Sequence, residues 1–148
     1  MKDHKYQKGF ALFVAIGVAS IILLVSIAMS NITLKQVLIS QAGKESQKAY
    51  YAADNGIECV LFWEIANPIA PGESAFGPTG QEISCGSQTF DVGGASESTF
   101  TATFSPFSTC AEVTVTKTGS QTIIQSRGRN LCTGSSNRRV ERGIRLQY

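Results

Sequence analysis

The sequence predicts an α+β chain in which one long N-terminal helix is laid on a small antiparallel sheet. Three observations carry this. Phe10–Met29 contains no ionisable side chain, and at about 1.5 Å per helical residue it spans the roughly 30 Å hydrocarbon core of a bilayer. Further on, Ala49, Ala53, Ile57, Val60 and Leu61 recur at spacings of three and four, one stripe of a helix. From Ser98 onward, apolar residues alternate with polar ones, as in strands with one buried face.

Residues 1–9, MKDHKYQKG, form a short leader with Lys2, Lys5 and Lys8 against Asp3, a cationic flank of the kind that stays cytoplasmic while an apolar run enters the membrane. Without it the chain keeps ten basic and ten acidic side chains. That balance gives no overall electrostatic drive toward nucleic acid or an acidic substrate. Ser26, Ile27 and Ala28 offer a small-x-small site at which a secretory signal would be cut. The sequence beyond Met29 argues for keeping the run, because helical patterning continues to Ala66, where Asn67 and Pro68 would stop it. Residues 10–31 are read as the membrane-spanning half of one helix and residues 32–66 as its amphipathic half. Ile32, Leu34, Val37 and Leu38 are expected to prolong the apolar face, and Gly43 and Gly56 to weaken the helix by about 1 kcal/mol each.

Residues 67–148 read as a β-domain. PIAPGESAFGPTGQ, Pro68 to Gln81, is a connecting loop by composition. Ser98–Phe104 alternates Phe100, Ala102 and Phe104 with threonines, and Ala111–Arg129 reads as a hairpin turning at Gly119 and Ser120, with glycine placed for a type II′ turn. Val140, Ile144, Leu146 and Tyr148 share one strand face with Arg142. Four or more antiparallel strands then need a cover, and the Ala49–Leu61 stripe is the partner available.

Cys59, Cys85, Cys110 and Cys132 all follow the apolar run without CxxC spacing, which favours disulfides in an oxidising compartment over metal binding. Three connectivities are open. The favoured one joins Cys59 to Cys85, helix to sheet edge, and Cys110 to Cys132. The second bridge requires a bent strand end, because Cys110 would face Arg129 across the hairpin.

At Lys8, Gly9 and Phe10, a basic leader followed by glycine and an aromatic residue opening an uncharged helix, the sequence resembles a type IV prepilin. A second stretch, SQKAYYAADNGIE (Ser46–Glu58), resembles the AFYAAEAG region of PilX-type minor pilins. The resemblance covers the first sixty or so residues. It implies cleavage after Gly9 by a prepilin peptidase, N-methylation of Phe10, insertion in the inner membrane, and packing against other pilin subunits through Phe10, Leu12, Phe13, Val14 and Ile16. Major pilins of that family place a glutamate where this chain has Val14. Its absence points to a minor subunit, tip-associated or assembly-initiating, with the globular part outside the cytoplasm and in an extracellular fibre after assembly. The alternatives are a type II secretion pseudopilin and a single-pass anchored adhesin that never polymerises.

Residues that could carry catalysis are few. The single histidine, His4, lies in the leader, so a processed chain would have no imidazole base. Asp54 and Glu58 share a helix face more in the manner of a solvated surface than of an acid–base pair. The reading is a non-enzyme with no catalytic residue, metal or cofactor. Arg127, Arg129, Arg138, Arg139, Arg142 and Arg145 crowd the last quarter. They form either a weak candidate patch for an anionic ligand such as DNA or, by strand alternation, a solvated set paired with Glu112 and the helix acids.

Overall fold

Helix α1 spans Gln7–Leu61 without a break, as a 55-residue stretch free of proline permits. A single π-helical segment, Phe62–Ala66, continues it. The structure, a computed structural model, describes residues 7–66, 73–133 and 138–148, with side chains from residue 10. Residues 1–6 of the leader, the side chains of Gln7 and Lys8, and the stop at Asn67 and Pro68 lie outside the described residues. The chain divides into two compact units, Met1–Gln41 and Ala42–Tyr148.

Within Met1–Gln41, the described residues are helical and every side chain from Phe10 on is exposed. Ile32, Leu34, Val37 and Leu38 are on this helix and each is about half exposed or more.

Within Ala42–Tyr148, six strands follow the helix: β1 (Gln81–Cys85), β2 (Gln88–Val92), β3 (Glu97–Phe104), β4 (Thr109–Thr118), β5 (Gln121–Arg129) and β6 (Glu141–Gln147). β1 and β2 form a separate antiparallel pair, and β3–β4–β5–β6 form an antiparallel meander in that order. The β4–β5 turn falls on Gly119 and Ser120 as the spacing predicts. Only Gly119, the first central residue, has positive φ (61°), which is what a type II′ turn asks of it. The β1–β2 hairpin was hidden inside what reads as an unpatterned region. Its signal is the alternation of Ile83 with Cys85 and of Phe90 with Val92 about Gly86, which takes positive φ (64°).

The core lies between the Ala42–Leu61 part of α1 and one face of the meander. Ile57 and Val60 meet Phe100, Ala102, Ala111, Val113, Val115 and Ile124. Phe76, in the connection before β1, is also fully buried there. Register places Arg142, Ile144 and Leu146 opposite Gly128, Ser126 and Ile124 on that same face. Helix and sheet approach closely at two glycines, to backbone contact at Gly128. A Cβ at Gly128 would overlap the Ala49 carbonyl oxygen and the Ala53 amide nitrogen, and one at Gly56 would sit 2.7 Å from Val113 Cγ2. Gly56 therefore serves packing, a role helix propensity alone does not reveal.

Cys59 and Cys85 are bridged, with Cα atoms 5.8 Å apart, tying α1 to β1. Trp63 Nε1 donates to the Ser84 carbonyl at 2.9 Å beside the bridge. The second expected bridge is not formed: Cys110 and Cys132 are free thiols. The chain leaves β5 after Arg129 and returns Cys132 beside Cys110, so the alternation that would have parted them no longer applies. The Cys132 thiol donates to the Ser108 carbonyl at 2.9 Å. Burial, with a contribution from the Cys110 thiol, pushes its pKa up to about 12.

Candidate functional site

The apolar half of the helix is exposed along its length. Phe10, Leu12, Phe13 and Ile16 are more than 60% exposed, and Val14 is 46% exposed. The polar side chains in this run are satisfied by their own helix: Ser20 Oγ donates to the Ile16 carbonyl, Ser26 Oγ to Ile22 at 2.8 Å and Thr33 Oγ1 to Met29 at 2.9 Å. Each hydroxyl carries its hydrogen bond with it, so these residues add little cost in hydrocarbon or against another helix. By length and composition this helix can cross a membrane.

The arginines are not gathered into one patch. Arg127 and Arg129 project from the sheet face away from α1, where Arg127 forms an ion pair with Glu112 at 3.6 Å and Arg129 donates to Glu112 at 3.0 Å. Arg129 also donates to Glu141 at 2.7 Å. Arg145, opposite Gln125, shares that face. Arg142 is on the helix side, with Nε donating to Ser46 Oγ at 2.8 Å. Arg138 and Arg139 belong to the connection before β6. Strand alternation and pairing with Glu112 are thus as the sequence suggests; among the helix acids, Glu64 pairs with Lys117, and Glu45 pairs with Lys48 at 2.9 Å and also feels the charge of Arg138.

A polar clamp that the sequence did not reveal centres on Asn130, which is 2% exposed. Its Nδ2 donates to Glu45 Oε2 at 2.8 Å and to the Arg138 carbonyl at 2.9 Å, and its Oδ1 accepts from the Val140 amide at 2.8 Å. One asparagine thereby fixes the β5–β6 connection to α1. A lone Asn after an arginine-rich strand carries no sequence signal of this.

The clamp and the Arg129 pairs set the pH response. The Asn130 hydrogen bond, then Lys48, hold the Glu45 carboxyl below its ordinary 4.5. Arg129 does the same for Glu141. A depressed carboxyl pKa adds stability above the unfolded value and loses it as pH falls through the folded one. Cys132 acts at the other end: its raised pKa adds stability below the unfolded value near 9, lost as pH rises toward 12. Thermal unfolding of the detergent-solubilised chain across pH should show a plateau, with Tm falling below about 4.5 and again above about 9. A Tm flat from neutrality to well below 4 would contradict the Glu45 and Glu141 assignments.

Comparison with known proteins gave no matching family model, curated protein or solved structure.

Proposed function

We propose that this chain is a non-enzymatic structural subunit of a fibre assembled from the inner membrane, a minor subunit of the type IV pilus kind, cut after Gly9 and polymerised through its N-terminal helix. The observation that carries the reading is the junction itself, a basic leader and a glycine opening onto Phe10 and an exposed apolar helix whose hydroxyls bond only to their own backbone. Such a helix suits lipid before assembly and neighbouring helices after it, since side-chain packing replaces lipid contacts without stranding polar groups. Val14, where a buried carboxylate would be costly and therefore functional, supports a minor or secretion-type subunit over an abundant shaft protein. The small-residue stripe Ala49–Gly56 packs on the sheet, so it supports the fold, and the junction remains the functional signature.

The test is the mature N-terminus. Mass spectrometry of the protein from membranes should give a chain beginning at methylated Phe10. Gly9→Val should leave the leader attached and abolish incorporation into fibres while the globular part is still displayed outside the cytoplasm. A mature chain starting near Met29, or Gly9→Val fibres at wild-type yield, would refute the proposal.

A further inference from the structure

Helix α1 from Phe10 to Leu61 carries six charged side chains: Lys35, Lys44 and Lys48, then Glu45, Asp54 and Glu58. Each lysine has an acid ten residues after it. The acidic set repeats the basic set's spacing, so displacing one copy of the helix by ten residues, about 15 Å along its axis, brings all three lysines level with acids. Within α1 the same displacement brings no like charges level; just beyond it Asp54 comes level with Glu64, a nearly buried carboxylate already paired with Lys117.

Two of the three pairs lie on the free side of the helix. Ala49, Ala53, Gly56 and Val60 face the sheet and are buried. Lys44 and Glu58 are exposed, and Asp54 and Lys48 are half-buried. At about 100° per residue, Lys44 and Lys48 form one flank of the free side, and Asp54 and Glu58 form a second flank roughly 80° around it. Among the described residues Lys44, Asp54 and Glu58 have no salt-bridge partner, and Lys48 has only Glu45. Glu45 is already occupied by Asn130. Tyr51, between the flanks, and Asn55, on the lysine side, line shallow clefts of about 320 and 520 Å³ that Phe104 also borders; Asn55 and Phe104 line both, and Tyr51 lines the smaller.

We infer that this face is a head-to-tail contact between two copies of the chain, parallel and staggered by about 15 Å, in which Lys44 and Lys48 of one copy meet Asp54 and Glu58 of the next. The occupant is a second copy because the charge pattern complements itself. The two flanks differ, so the contact is heterologous and repeats in an open array instead of closing into a dimer. This deepens the fibre reading and rests on it; a subunit of low abundance still meets its own kind wherever two are placed in succession.

The test is zero-length carbodiimide cross-linking of intact cells or sheared fibres, followed by peptide mass spectrometry. Lys44–Asp54 and Lys48–Glu58 amide links are expected. Ten residues of helix separate these groups within one chain by about 15 Å, so a link between them is intermolecular. Lys44→Glu with Lys48→Glu, or Asp54→Lys with Glu58→Lys, should by itself abolish linking at these positions, because each leaves like groups on both flanks with no amine–carboxyl couple to join. Co-expressing the two reversed variants should restore it, a rescue that a folding defect would not give.

Incorporation of the chain into sheared fibres, read in the same cells, separates the failures. If copies are incorporated next to one another but the Lys–acid links do not form, the copies assemble in another register and this inference is wrong. If mature chains do not begin at Phe10, the fibre reading itself is wrong.

Discussion

Gly128→Ala is expected to destabilise the fold by at least about 3 kcal/mol, at or beyond the upper end of ordinary overpacking. The added methyl would meet main-chain atoms, the Ala49 carbonyl oxygen and the Ala53 amide nitrogen. Main chain cannot rotate aside as a side chain does, so α1 would have to lift from β5 and open the core at Val113 and Ile124. Gly56→Ala is the internal control. Its methyl meets the Ser126 hydroxyl and Val113 Cγ2, side-chain atoms that can shift, and alanine returns about 1 kcal/mol of helix propensity. Its net cost should be about 1 kcal/mol. Trp63, the single tryptophan, is packed against the core and reports unfolding by fluorescence. Equal stability of Gly128→Ala and wild type, or a larger loss from Gly56→Ala, would show that the helix does not lie against β5 as described.

The second large effect is expected from Asn130→Asp, a change of nearly unchanged shape. Asn130 donates two hydrogen bonds through Nδ2, to Glu45 and to the Arg138 carbonyl. Aspartate supplies no donor there and sets a second carboxylate against Glu45 in a buried site. Leaving acceptors unpaired and adding an uncompensated buried charge should cost about 3 kcal/mol at neutral pH, or roughly 10 °C in Tm for a chain of this size. Acidification should narrow the gap as the paired carboxyls take up a proton. A neutral-pH Tm within a degree or two of wild type would show that the clamp does not hold the β5–β6 connection.

These two sites also mark how far the sequence could be read. The helix, the β4–β5 hairpin with its turn at Gly119, the inward face of β6 and the Cys59–Cys85 bridge were legible, because each follows from local periodicity or from a residue with restricted chemistry. Ala49, Ala53, Ile57 and Val60 announced a buried stripe by spacing alone. The β1–β2 hairpin was missed because ten residues of strand, six of them polar, sit beside a glycine- and proline-rich segment whose composition says loop. The expected Cys110–Cys132 bridge was argued as a tie between the ends of the hairpin, against strand alternation; the chain beyond β5 escapes that alternation, yet both cysteines are free thiols.

The sequence by itself determined that a long apolar helix precedes a small sheet and that its amphipathic end covers that sheet, since periodicity and the cost of exposed apolar area act locally. It also determined the ten-residue echo of charges along the helix. Only the tertiary structure decided which glycines are indispensable and which polar side chain clamps the fold. It also decided which charges remain free on the outer face. Those properties depend on which atoms from distant segments meet, and a one-dimensional pattern holds no record of a contact between Gly128 and Ala49 or between Asn130 and Glu45.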